Sequence, residues 1–198
     1  MSTFRDMKTA VESAPAGALF NADDFEMYGS RTAIESALSR LVRSGKLSRV
    51  RRGIYFRPAV SRFGKGGVSG VAVALKYASD RAVGPVGPAA AVMLGLSTQM
   101  PAAPEIAVVG RPPTSIPGVH FRERSNMRRV AMNLRPKEVA VLELARDGFA
   151  SVEVPLDEMK ARFQELVGSG EIDARKINDA AKGEPRATRR YVAELMPA

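Results

Sequence analysis

Between Ser30 and Pro58 the spacing of apolar side chains changes from a helical to an extended period, and Gly45 marks the change. In "RTAIESALSRLVRSG", Ile34, Ala37, Leu38, Leu41 and Val42 recur at i, i+3, i+4, i+7 and i+8, the single buried stripe of an amphipathic helix. Ser30 is its cap and Gly45 its stop. The outer face presents Arg31, Thr32, Glu35, Ser36, Ser39, Arg40 and Arg43. After Gly45, "KLSRV" and "IYFRP" alternate as two strands joined by the tight turn "RRG", where Gly53 supplies a positive φ. Ile54 and Phe56 are expected on the strand face that packs on Leu38 and Leu41, with Tyr55 on the other. Upstream, residues 2–14 read as a short amphipathic helix carrying Phe4, Met7, Ala10 and Val11, ended by Pro15 and Gly17. "ALF" is a brief extended piece, and Asn21 caps a second helix over about Ala22 to Tyr28. Helix, helix, helix and hairpin is the order of a winged helix-turn-helix.

The charge pattern narrows the partner. The 198 residues carry 30 Lys+Arg against 21 Asp+Glu, a net charge of +9. Between Glu35 and Asp80 there is no acidic residue, while Arg40, Arg43, Lys46, Arg49, Arg51, Arg52, Arg57, Arg62, Lys65 and Lys76 all occur. So dense a field of one sign repels itself in the folded chain, and a polyanion is the simplest compensation. The reading places the helix beginning at Arg31 in the major groove by its N-terminal half. Arg31 and Thr32 stand at the groove mouth, and Ser36 and Ser39 allow close approach. Arg40 and Arg43 reach flanking phosphates, and Arg49, Arg51 and Arg52 track phosphates or an adjacent minor groove. Glu35 either accepts from cytosine N4 or pairs with Arg31 one turn earlier, the pair being favoured.

Past Pro58, "SRFGKGGVSG" reads as a basic, Gly-rich linker. The expected organisation is a winged domain over 1–62, a linker over 63–69 and a second domain over 70–198. The second domain mixes helices ("GVAVALKYAS", "GPAAAVMLGLS", "RPKEVAVLELARDG", "LDEMKARFQELVGSG") with two strands, "EIAVVG" and "GVHFRER". The fold class is therefore α+β, mostly helical: an N-terminal winged helix-turn-helix followed by a mixed α/β C-terminal domain. A second basic cluster, Arg122, Arg124, Arg128 and Arg129, either extends a nucleic-acid footprint or meets an acidic partner surface.

Catalytic patterns are weak. The chain has no cysteine, which excludes disulfides, a thiolate nucleophile and Cys-type zinc sites. Its one histidine, His120, sits in a strand and lacks a partner pattern for acid–base work. No metalloprotease, Walker-type or serine-elbow motif occurs, and Asp23/Asp24 and Asp157/Glu158 fall in helix first turns, where the dipole explains them. A non-enzymatic protein without cofactor or metal is expected. No apolar run reaches the roughly 18 residues of a membrane span, and no secretory signal is evident, so the cytoplasm is the expected compartment and no membrane partner is expected.

The stretch "SRTAIESALSRLVRSGKLSRVRRGIYFRP", followed by "GPAAAVMLGLSTQMP", resembles the AbiEi-type antitoxins of type IV toxin–antitoxin systems. The resemblance rests on R-G-x-Y-x-x-P (Arg52, Gly53, Tyr55, Pro58) and on L-G-L-[ST]-T-Q-x-P (Leu94, Gly95, Leu96, Ser97, Thr98, Gln99, Pro101). Val92 stands where relatives often carry asparagine. The resemblance covers most of residues 15–125. It implies a DNA-binding autorepressor in phage defence, whose winged domain binds promoter inverted repeats in double-stranded DNA. It also implies a C-terminal domain that neutralises a nucleotidyltransferase toxin encoded alongside, with or without direct contact. The alternative from the residues alone is a winged-helix transcriptional regulator whose second domain senses a ligand or oligomerises.

Overall fold

The computed structural model describes residues 2–58, 60–61, 64–65, 69–78, 82–112, 116 and 118–196. The chain is α+β and predominantly helical, and it forms two compact units, Met1–Tyr77 and Ala78–Ala198.

In the first unit α1 (Thr3–Ser13) buries Met7 and Val11 and stops where Pro15 forces Ala14 into an extended conformation. β1 (Leu19–Phe20) follows. Asn21 and Asp24 then cap each other, the Asp24 amide donating to Asn21 Oδ1 (3.1 Å) and the Asn21 amide to Asp24 Oδ2 (2.8 Å). The expected cap is present, but the segment it opens, Asp23–Tyr28, is a 3₁₀ rather than an α-helix. α2 (Arg31–Arg43) buries Ile34, Ala37, Leu38 and Leu41, and the Ser30 side chain accepts from the Ala33 amide. β2 (Ser48–Arg51) and β3 (Ile54–Phe56) form the hairpin, turning at Arg52 and Gly53, with Gly53 at φ 82°.

β1 joins the hairpin on its far side, giving the antiparallel order β1-β3-β2. One face of this sheet meets the helical core through Tyr55, which, like Phe4, Phe20 and Val42, packs against the cluster that includes Met7, Leu38 and Leu41. Tyr55, not Ile54 and Phe56, is thus the hairpin's contribution to the helical core, the reverse of the sequence expectation. The expectation failed because it gave the sheet only one partner. The opposite face, with buried Ile54, has its own cover in α3 (Gly70–Tyr77), which packs on β1 and β3 and buries Val73 and Ala74.

That cover moves the boundary. Residues 70–77, read from sequence as the start of the second domain, belong to the first unit, and Lys76 Nζ lies 2.5 Å from Asp24. Of the expected linker, residues 63 and 66–68 lie outside the described residues. Gly64–Lys65 forms β5, paired antiparallel with β4 (Val60–Ser61).

The second unit is built around α6 (Pro136–Arg146), whose residues 138–145 are all buried. Pro136 occupies the first turn, where a missing N–H costs nothing. Around α6 stand α4 (Gly87–Leu94), α8 (Ala174–Ala181), α9 (Arg186–Leu195) and β6 (Gly84–Pro85). α7 (Leu156–Gly168) adds Met159, Phe163 and Leu166 to the same core, and α5 (Arg128–Ala131) is a single turn. β7 (Glu105–Val109) is antiparallel to β6 and parallel to β8 (His120–Arg124). No helix among the described residues is long and apolar enough to cross a membrane.

Candidate nucleic-acid interface

The outer face of α2 is as open as its composition requires. Arg31, Thr32, Ser36, Ser39, Arg40 and Arg43 are exposed, as are Arg49 and Arg52 of the hairpin, while Arg51 is half-buried. Exposure alone does not make these groups equivalent.

Arg31 is held twice, by Asp23 (Nη1–Oδ1, 2.6 Å) and by Glu35 (Nε–Oε1, 3.1 Å). These hydrogen bonds, Asp23 first, raise the guanidinium's pKa above its ordinary value. Glu35 is therefore Arg31's ion-pair partner, as favoured from the i,i+4 spacing. Arg40 lies with its guanidinium carbon 3.8 Å from the centre of the Phe4 ring, a cation–π contact that ties the last turn of α2 to α1.

The hairpin separates Arg49 from Arg51. Arg49 pairs across the ladder with Tyr55 and Arg51 with Ile54, the register shifting between them. In a regular strand residues two apart share a face; the bulge puts these two on opposite faces. Arg51 therefore turns toward α3, its guanidinium carbon 4.0 Å from the centre of the Tyr77 ring. Arg51 is thus not aligned with Arg49 on one face of the hairpin. Arg49 stays exposed, its Nε donating to the Arg51 carbonyl at 3.3 Å.

Other members of the acid-free run are also occupied. Lys46 pairs with Glu12 (2.8 Å), Lys76 with Asp24, and Arg57 donates to the Ala14 carbonyl. Among the side chains of the run that the structure describes, Arg43, Arg49 and Arg52 face solvent without an acidic or aromatic partner, and Arg43 shares its side of α2 with the small Thr32, Ser36 and Ser39; the Lys65 side chain is outside the described ones. Arg62 lies outside the described residues.

In the second unit the "LGLSTQ" stretch has a structural task. Gly95 ends α4 in the left-handed conformation, and the next residues wrap one carboxylate, Glu153. Ser97 Oγ donates to Glu153 Oε2 (2.5 Å), the Thr98 amide reaches the same oxygen (3.4 Å), and Gln99 Nε2 donates to Oε1. The Glu153 amide returns a bond to the Leu96 carbonyl (3.1 Å).

The second basic cluster divides, Arg122 and Arg128 staying exposed and Arg124 and Arg129 leaving the surface. Arg122 pairs with Glu105 (2.6 Å), while Arg124 and Arg129 turn inward to Glu143 of α6. Arg129, fully buried, also bonds Glu184, which Arg146 reaches from outside. Burial pushes both carboxyls up. The Arg124 hydrogen bonds and the Arg129 charge outweigh it at Glu143, and the Arg129 contacts do so at Glu184, so both stay below the ordinary glutamate value. Sequence reasoning missed this network. Its one visible signal is Glu143, a charge inside the otherwise apolar run "VAVLELA".

No curated protein matches the chain. Among solved structures, the chain is similar to the Rv2827c protein of Mycobacterium tuberculosis in its crystal structure, at 15% identity and a TM-score of 0.44 over 99% of this chain and 76% of that one. Residues 6–110 match the DUF6088 family across all of the first unit's core and the first strands of the second unit, and the chain belongs to that family, one of unknown function.

Proposed function

We propose that the first unit is a winged helix-turn-helix binding duplex DNA, and that the protein is an antitoxin that represses its own operon while the second unit neutralises a nucleotidyltransferase toxin. The observation that carries the DNA reading is the exposed row of Thr32, Ser36, Ser39 and Arg43 along one side of α2, together with the exposed Arg49 and Arg52 of the hairpin. Small polar side chains there admit the edges of bases, and the arginines at its margin meet phosphates. Arg31, held between two carboxylates, is a positioned group at the helix start rather than a free one. The toxin half rests on the resemblance carried by the R-G-x-Y-x-x-P and L-G-L-S-T-Q stretches. The protein acts in the cytoplasm as a binding protein rather than an enzyme.

Fluorescence anisotropy with duplex from the chain's own upstream region tests the DNA half. Binding is expected at low salt, with log K falling steeply against log salt. No binding to that duplex at low salt overturns it. Co-expression with an adjacent nucleotidyltransferase gene tests the toxin half, and growth rescue is the expected result. Absence of rescue favours the second reading, a regulator whose second unit senses a ligand. An open, partly apolar groove of about 510 Å³ in that unit, lined by Phe149, Leu156, Met159 and Tyr191, supports it.

A further inference from the structure

The buried ionic network of the second unit has more positive than negative charge. Glu184 accepts from Arg129 Nε, Asn126 Nδ2 and Arg146 Nη1, each at 2.7 Å. Glu143 accepts from Arg124 Nε (3.0 Å) and Nη2 (2.6 Å) and from Arg129 Nη1 (2.5 Å). Three guanidiniums thus share two carboxylates, and Arg129 Nη2, sealed from solvent, has no hydrogen-bond acceptor among the described residues. The extra positive charge lies at the partly exposed edge of the network, on Arg124 and Arg146, while the orphan donor of Arg129 is buried, where an unmade hydrogen bond is costly.

The network opens on one side. A cleft of about 290 Å³ lies between residues 123–126 and 183–185, with Arg124 and Arg146 in its walls and Asn126 and Glu184 at its base. The side chains of Arg124 and Arg146 remain 14% and 36% exposed. Arg146 spends one nitrogen on Glu184, leaving the rest of its donor fork for the cleft. The base is tightly built. Asn126 is fixed by the Ala180 carbonyl (2.9 Å) and Glu184, and a Cβ on Gly183 would sit 2.2 Å from Asn126 Oδ1. Ser125 adds a hydroxyl to the lining; of the two carboxylates there, Glu184 is held by Asn126, Arg129 and Arg146, and Glu123, exposed, is the one that opposes an anion without such donors.

We propose that this cleft binds a small oxyanion, a phosphate or carboxylate group, between Arg124 and Arg146 over the buried Arg129–Glu143–Glu184 network. The ligand supplies the negative charge that the two buried glutamates leave short, and planar guanidinium forks suit it better than an ammonium would. The site is independent of the DNA reading and lies wholly within the second unit.

The test is calorimetric titration of the full-length chain with inorganic phosphate, and separately with acetate, against chloride at matched ionic strength. The Arg49→Ala/Arg52→Ala background removes phosphate uptake by the hairpin. Saturable binding of one anion per chain is expected. Arg146→Ala should weaken it at least tenfold and Arg146→Lys several-fold, whereas Glu123→Gln should tighten it. Glu184 keeps Arg129 and Asn126 in the Arg146 variants; if Arg146→Ala does not fold, the Arg146→Lys and Glu123→Gln pair decides. Preference for phosphate or for acetate identifies the class of ligand, and either upholds the site. Binding indistinguishable from chloride, or phosphate affinity indifferent to Arg146→Lys and Glu123→Gln, overturns it and leaves the network purely structural.

Discussion

Tyr55 illustrates how one residue acquires a role that its neighbours do not predict. It belongs to the R-G-x-Y-x-x-P stretch, yet no charge or spacing argument gave it a task. In the folded unit it is the hairpin's contact with the α1–α2 core. Tyr55→Ala should destabilise the first unit by about 2–3 kcal/mol, at the low end for an aromatic truncation because the ring is only half-buried. Tyr55→Phe should be nearly neutral; urea unfolding followed by circular dichroism checks both. The arginines of the same hairpin divide similarly. Arg52→Ala should weaken binding to all DNA sequences alike and reduce the salt slope by about 0.9, the contribution of one phosphate contact. Arg51→Ala should instead lower stability through its lost stacking on Tyr77, with little change in slope. Equal salt slopes for the two variants would contradict the bulge's assignment of faces.

At the scale of elements, α2 and α6 contrast. α2 follows its apolar stripe closely because only one of its faces is covered, so periodicity and burial coincide. α6 is covered all round, and its two glutamates are buried with its apolar residues. No pattern in a single helix distinguishes a buried glutamate from an exposed one when its partner lies on another element. Here the partners of Glu143 come from β8 and α5, and Glu138 accepts from Arg135 at the head of its own helix and from the Asp173 amide. Glu143→Ala should cost about 3–5 kcal/mol, the range for breaking a buried ion pair and stranding its arginines. The Ser97–Gln99 loop is a milder case, since its carboxylate partner is solvent-accessible. Glu153→Ala should cost about 1 kcal/mol and increase hydrogen exchange at the Thr98 amide, with the rest of the second unit protected as before.

For the whole molecule, the depressed Glu143 and Glu184 carboxyls set a direction in pH. The unfolded chain binds their protons more readily than the folded one. The stability they contribute is therefore complete above the ordinary glutamate value of 4.5 and is lost as pH falls through their lower folded values. Acid titration followed by helical circular dichroism should show unfolding below about pH 4.5, and Glu143→Gln should flatten that dependence. The local elements were legible from sequence because their causes are local. Ser30 and Asn21 cap their helices, Gly53 turns the hairpin, and the α2 stripe follows from spacing within one helix. Three matters depended on residues far apart in the chain and were decided only by tertiary structure. These are the cover that α3 gives the sheet, the bulge that parts Arg49 from Arg51, and the inward turn of Arg124 and Arg129. An isolated basic residue reads the same whether water, an aromatic ring or a buried glutamate awaits it. Burial strengthens its electrostatics and makes its choice of partner costly to change, and that choice is made by packing.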